Sequence, residues 1–118
     1  MRLYVPATLD LLAQWRAGGA VPPGDPGAAG GFVAPDESED GEYAALMAAA
    51  DAAVGLLPGG AGRRVVLVVE TATPDGPVPA VDWAAVHADA ADRPAGADPD
   101  EDLGWFAIQE IPDLVDPA

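Results

Sequence analysis

The residues best suited to chemistry are one histidine and three acids that fall on or beside predicted strands. His87 is the only histidine, and Asp89 follows two residues later. Residues two apart on a strand share a face, so this spacing suits an acid–base pair. Glu70 and Glu110 lie near predicted strand ends, where functional side chains often gather. These four are the candidate catalytic residues. A lone histidine at a strand edge is nevertheless more often a structural residue whose ring nitrogens are hydrogen-bonded than a catalytic base. None of the four is therefore assigned a catalytic role.

Nucleophilic catalysis finds no support in the composition. The chain contains no cysteine, and its one serine, Ser38, lies in an acidic run and not in a nucleophile elbow. Ser-His-Asp and cysteine chemistry are therefore excluded, as are disulfides and thiolate metal sites. A single histidine does not build a histidine-rich metal site either. We expect no metal and no cofactor, and the lack of cysteine fits a reducing compartment.

The stretch DPDEDLG resembles part of a calcium-binding loop, with acids alternating at Asp98, Asp100 and Asp102. In such a loop the glycine that allows the sharp turn would fall at Leu103, but it comes one residue later. The closing acid would fall at Gln109, which carries no charge. The pattern therefore predicts an exposed acidic loop without a dedicated calcium site.

The opening stretch YVPATLD is a strand-to-helix turn, the place where many proteins hold phosphate. Such a cradle needs free backbone N–H groups and usually glycines. Here Pro6 removes a donor, and Asp10 places a negative charge in the first helical turn. Thr8 is instead predicted to cap the helix, and we expect no phosphate site.

Charge narrows the choice of partner. Twenty acids oppose five arginines, for a net charge of −15. That field repels nucleic-acid phosphates and anionic lipids, so we expect neither nucleic acid nor membrane as a partner, and it allows a basic protein partner. We expect a protein partner or, through an apolar sheet face, a homodimer. Arg63-Arg64 is the only basic pair, too small for a nucleic-acid site. It pairs with acids of the preceding loop or marks one end of a sheet. The apolar run at 65–69 is far too short for a membrane span, and we expect a cytoplasmic protein without a signal peptide.

Apolar periodicity and breaker residues give the predicted elements. The first half contains a strand at 3–5, a helix from Thr8 to the Gly18-Gly19 pair, a flexible Gly/Pro loop at 18–31, a short strand at 32–34 and a helix at 43–57. The second half contains a central strand at 65–69, a segment at 84–88 that fits either strand or helix, an acidic loop at 89–104 and a final strand at 105–109.

The central strand is apolar on both faces. We expect Val65, Leu67 and Val69 to be covered by the helix at 43–57. With both helices on one face, Val66 and Val68 remain on the other. Either a second subunit covers them, or the chain folds back as a lid. The residues for that lid are Val78, Val81, Trp83, Ile111 and Leu114.

The order of elements predicts a single α+β domain over residues 1–118. The expected architecture is one mixed sheet of about five strands with two helices on one face, with a ferredoxin-like arrangement as the first choice. The predicted core comprises Leu3, Val5, Leu9, Leu12, Leu46, Met47, Val54, Leu57, Val65, Leu67, Val69, Val86, Phe106 and Ile108.

Several distinctive stretches occur together in this chain. They are MRLYVPAT at the start, EYAAL at 42–46, RRVVLVV at 63–69, WAAVHAD at 83–89 and WFAIQEIPDL at 105–114. As a set they resemble an uncharacterised actinobacterial protein family of unknown function. The resemblance implies no activity, cofactor or partner. It does favour a strand at 84–88, because the matching segment in relatives is more β-branched.

Two classes of function remain. The first is a small acidic interaction or regulatory domain that acts through protein contacts, and the composition favours it. The alternative is a small enzyme or ligand-binding domain that uses His87, Asp89, Glu70 and Glu110. Convergence of those four side chains around one pocket would distinguish the second class from the first.

Overall fold

The fold was obtained as a computed structural model, which describes residues 2–22, 31–34, 36, 38–71 and 77–115. The strands of this part are β1 (Arg2–Ala7), β2 (Ala20–Val21), β3 (Phe32–Val33), β4 (Val65–Glu70), β5 (Val78–Pro79), β6 (Trp83–Ala88) and β7 (Gly104–Phe106). The helices are α1 (Leu9–Gly18), α2 (Glu39–Val54) and α3 (Ile111–Val115).

Five strands form one sheet in the spatial order β3-β1-β4-β6-β7. β4 lies at its centre, since its valine-rich sequence suits a strand buried on both faces. It pairs with β1 along the full length of both strands and with β6 on the other side. The predicted α+β class, the five strands and the strand at 84–88 are confirmed. The sheet is antiparallel throughout, so the prediction of a mixed sheet is wrong.

One face of the sheet is covered by α1, α3 and the small β2-β5 pair. Val65, Leu67 and Val69 point to this face and are fully buried. α1 contributes Leu12 and Trp15, and the remaining cover comes from later in the chain. The other members of this core include Val21, Val78, Trp83, Ile111 and Leu114. The C-terminal segment therefore does fold back onto the sheet, although Val81 remains 89% exposed.

α2 covers the opposite face. Tyr4, Val66 and Val68 pack there against Ala45 and Ala49 of the helix. The prediction that both helices share one face is therefore wrong, and so is the expectation that α2 covers Leu67. Val66 and Val68 are 0% and 4% exposed, which removes the reason for placing a second subunit over them. The ferredoxin-like arrangement was expected with two helices on one face, so the position of α2 on the opposite face removes its support.

The buried side of α2 is made of small residues. The buried side chains are those of Ala45, Ala49, Ala50 and Ala53. The larger apolar side chains that the sequence predicted for the core in this segment are only partly buried, namely Leu46, Met47, Val54 and Leu57. Because alanine has no side chain beyond Cβ, the helix lies close to the sheet, and the bulk of this core comes from the strands.

Both long helices begin at a polar cap. Thr8 accepts a hydrogen bond from the backbone of Leu11 at 3.1 Å, as predicted. Ser38 does the same for Gly41 at 3.0 Å, so α2 starts at Glu39 and not at Tyr43. Three acids in its first turn, Glu39, Asp40 and Glu42, favour the positive end of the helix dipole.

The segment after α1 is ordered at its start. Gly19 takes a left-handed conformation (φ 80°) that ends the helix, a shape glycine adopts without strain. Ala20 and Val21 then pair with β5, and Val21 is 1% exposed. Val21, in the predicted flexible loop at 18–31, thus belongs to the core, and residues 23–30 of that loop lie outside the described part. Among the described helices, none combines the length and the apolar character needed to cross a bilayer.

The close contact between α2 and the sheet predicts sensitivity to added volume. Ala49→Leu places three further carbons where Ala49 is fully buried, and we expect a loss of about 1–3 kcal/mol in the free energy of unfolding. Ala44→Leu makes the same change at an exposed position of the same helix and is expected to alter stability by about 0.5 kcal/mol or less. Urea unfolding measures both, and equal losses would contradict the packing described here.

Candidate functional site

A buried ion pair joins the start of β4 to the end of β6. Arg64 and Asp89 have side chains only 1% and 5% exposed. The guanidinium donates from Nη2 to Asp89 Oδ1 at 2.8 Å and from Nε to Oδ2 at 2.9 Å. The backbone N–H of Arg64 also donates to Oδ2, at 2.9 Å. Arg64 thus pairs with an acid that follows β6, and the predicted pairing with the preceding loop is wrong.

The same guanidinium holds the segment predicted as an acidic loop. Arg64 donates from Nη1 to the carbonyl of Pro99 at 3.1 Å and from Nη2 to that of Glu101 at 2.8 Å. Gly62 and Arg93 add two backbone hydrogen bonds to one another. Arg64 therefore holds residues 89, 99 and 101 beside the start of β4, and Arg93 adds a hydrogen bond to the carbonyl of Asp98.

This arrangement occupies Asp89. Burial raises the pKa of its carboxyl, but hydrogen bonds from the Arg64 side chain and backbone and the nearby positive charge outweigh burial and lower the pKa below 3.8. Asp89 is thus ionised at neutral pH, with both oxygens engaged by Arg64. A carboxylate held in this way is a structural anchor and a poor general base.

His87 lies on the α2 side of the sheet, opposite Val66 in β4 and Trp105 in β7. It is partly buried, and this burial lowers the pKa of its ring below 6.5. In the described residues no hydrogen bond joins His87 to Asp89. The spacing of the two residues therefore does not produce the acid–base pair considered from the sequence.

Glu70 belongs to an exposed ion cluster at the opposite end of β4. Arg2 donates to Glu70 Oε1 at 2.7 Å and to Glu42 Oε1 at 3.0 Å. The three side chains are between 37% and 50% exposed, so water screens their attraction. Glu70 helps to connect β1, β4 and α2 and lies far along β4 from Arg64 and Asp89.

Glu110 and Asp89 line one cavity of about 290 Å³, together with Arg63, Phe106, Asp113 and Leu114. Glu110 Oε2 accepts a hydrogen bond from the backbone N–H of Ala107 at 2.7 Å. Arg63 donates to the carbonyl of Ala90 at 2.7 Å. Two of the four candidates thus share a cavity, whereas His87 and Glu70 lie elsewhere. The four side chains do not converge.

A larger cavity of about 520 Å³ lies at the start of α1. Thr8, Asp10, Leu57, Arg63 and Asp92 contribute to its lining. Its lining contains two arginines and two acids, and the turn that opens α1 has the predicted threonine cap. The cavity therefore presents no concentration of positive charge for phosphate.

Residues 98–104, the stretch that resembles part of a calcium-binding loop, form a turn with hydrogen bonds between their own groups. Asp98 Oδ1 accepts a hydrogen bond from the backbone N–H of Asp100 at 2.9 Å, and its carbonyl accepts one from that of Glu101. Across residues 2–22, 31–34, 36, 38–71 and 77–115, no three histidine or acidic side chains are grouped so as to hold a metal ion.

Trp105 is the exposed feature that sequence reasoning did not place. It lies on the edge strand β7 and is 62% exposed, whereas Trp15 and Trp83 are 2% and 6% exposed. α2 packs on β3, β1 and β4 of this face, and His87 and Trp105 lie further out along it. We use the name Trp105 surface for His87, Trp105 and the adjoining residues 100–103.

Tyr43 of α2 borders the Trp105 surface. It is 48% exposed, and its hydroxyl donates to Asp102 Oδ1 at 2.9 Å. Leu103 is partly buried against the α2 side of the core. The only signal for this site in the sequence was an aromatic pair at the start of the last strand, with nothing to show which side chain would face solvent.

The Arg64–Asp89 pair gives a test of stability. Asp89→Asn leaves a buried guanidinium without its counter-charge, and we expect a loss of about 3–5 kcal/mol in the free energy of unfolding. Glu70→Gln, which breaks the exposed pair with Arg2, is the control and is expected to cost about 1 kcal/mol or less. The double variant Arg64→Met/Asp89→Leu buries no charge and should be more stable than Asp89→Asn. Urea unfolding that gave Asp89→Asn and Glu70→Gln equal losses would refute the assignment.

Burial of His87 predicts a dependence of stability on pH. Because burial lowers the pKa below 6.5, the unfolded chain binds the proton more readily than the folded chain. The contribution of His87 to stability is therefore complete well above pH 6.5 and declines as the pH falls through that value. Between pH 7.5 and pH 5.5, the free energy of unfolding should fall less for His87→Gln than for the wild type. An NMR titration midpoint of His87 above 6.5 would contradict this prediction.

Comparison with known proteins gives a family and no activity. No curated protein matches the chain, and no solved structure matches it. A family profile does match, over residues 1–115, and its description is "Family of unknown function (DUF6912)". The match spans nearly the whole chain and agrees with the resemblance drawn from its sequence to an uncharacterised family. The protein therefore belongs to DUF6912, a family of unknown function.

Proposed function

We propose that this protein is a small interaction domain that binds another polypeptide through the Trp105 surface. The observation that carries the proposal is the exposure of Trp105, at 62%, in a chain whose other two tryptophans are buried. Tryptophan is enriched at the centres of protein interfaces, where one side chain supplies much of the binding energy. Covering the rest of this indole would contribute about 2–4 kcal/mol, from its area and about 25 cal/mol per Å².

The setting of Trp105 suits a docking site. Its strand is paired with β6, and residues 99 and 101 just before it are held by Arg64. A backbone segment held in this way loses little conformational freedom when a partner binds. β7 is also an edge strand, so within the described residues no further strand of the sheet lies beside it.

The alternative of a small enzyme has less support. Its case depended on four polar residues meeting at one pocket, and only Asp89 and Glu110 do so. Of these, Asp89 is committed to Arg64, and Glu110 binds the backbone of Ala107. The net charge of −15 speaks against nucleic acid and anionic membranes as partners, and the absence of cysteine supports a cytoplasmic location.

Site-specific photo-cross-linking tests the proposal. A benzophenone amino acid replaces Trp105 in one variant and Val81 in the control, since Val81 is 89% exposed and its neighbours Ala80 and Trp83 belong to the core on the other face of the sheet. Irradiation in cells that naturally make the protein should yield a protein adduct from position 105 and none from position 81. An adduct with the mass of two copies would identify a homodimer. Equal adducts at both positions, or none at 105, would reject the Trp105 surface as the docking site.

A further inference from the structure

We propose that the partner segment bound by the Trp105 surface is basic, with arginine or lysine side chains that lie over the indole and reach the acids at 100–102. This inference rests on the proposed function and specifies the chemistry of its partner. It follows from three features of the described residues: carboxylates without a cation, exposed aromatic rings beside them, and the sign of the overall field.

Two of the three carboxylates beside Trp105 have no cation partner among the described residues. Arg64 holds this segment through the main-chain carbonyls of Pro99 and Glu101 and leaves the acidic side chains free. Glu101 is 64% exposed, and its nearest cation is Arg93, at 3.5 Å. Asp100 and Asp102 are exposed and have no ion pair among the described residues.

Exposed aromatic rings flank these acids on two sides. Trp105 follows them in the chain, and Tyr43 contacts Asp102 from α2. Both rings are about half exposed or more, at 62% and 48%. A guanidinium or ammonium group is attracted to the face of such a ring, most strongly to tryptophan. Aromatic rings beside free carboxylates therefore suit a cationic side chain better than an acidic or purely apolar one.

The field of the whole protein favours the same partner. A net charge of −15 attracts a basic segment over a distance and repels an acidic one. His87, the other member of this surface, is held neutral at pH 7 by burial and adds no positive charge. A second copy of this chain would bring fifteen further negative charges, so the charge argues against self-association here.

Binding of synthetic peptides measures the preference. The probes are an eight-residue peptide of alternating arginine and valine and the matched peptide with glutamate for arginine. We expect the wild type to bind the basic peptide at least about tenfold more tightly, with an affinity that falls as salt is added. Trp105→Ala should weaken this binding about tenfold, and Val81→Ala should leave it unchanged.

Paired charge removals separate the local acids from the general field. Asp100→Asn/Asp102→Asn removes two charges from the Trp105 surface and should weaken binding about tenfold. Asp10→Asn/Asp113→Asn removes two charges from exposed positions of α1 and α3, on the other side of the sheet, and should weaken it less than about threefold. Circular dichroism confirms that each variant is folded.

Three results would overturn the inference: equal binding of both peptides, no effect of Trp105→Ala, or equal effects of the two paired variants. The cross-linking experiment is independent of all three. A heterologous adduct at position 105 together with a failed peptide preference would keep the docking surface and reject the basic partner. Loss of the adduct would reject the docking surface itself.

Discussion

One buried guanidinium anchors the path of the chain between β6 and β7. The side chains of Arg64 and Asp89 are almost completely buried, and removing each charge from water costs free energy. The cost is offset by a two-pronged hydrogen-bonded pair and by two main-chain carbonyls that the same guanidinium satisfies. Because these partners come from the end of β6 and from the segment before β7, the pair determines where the last strand begins.

The parts of the fold that could be predicted are those with a local signal. Thr8 marked the passage from β1 to α1, although β1 continues through Pro6 to Ala7, and the valine run marked β4. The side on which α2 packs had no such signal, because Val65 to Val69 is equally apolar on both faces. The large apolar residues of α2 also predicted the wrong buried face for the helix, since its alanines pack against the sheet instead.

The candidate site was harder to predict for a different reason. Arg64 and Asp89 are 25 residues apart, and the nearest suitable partner for Asp89 in sequence was His87. Spacing along one strand favoured that neighbour, but the pairing of β4 with β6 brings a stronger partner to the same acid. The exposure of Trp105 likewise depends on how far α2 extends across the sheet, which no short stretch encodes.

Anchorage through main-chain carbonyls has an evolutionary consequence. Arg64 recognises the backbone at Pro99 and Glu101, and every amino acid offers the same carbonyl. The side chains at 100–102 are thus free to change without loss of the path that presents them. Under the docking role proposed above, relatives of this chain could differ in what they bind at this position while one scaffold is retained, much as antibody loops vary on a constant framework.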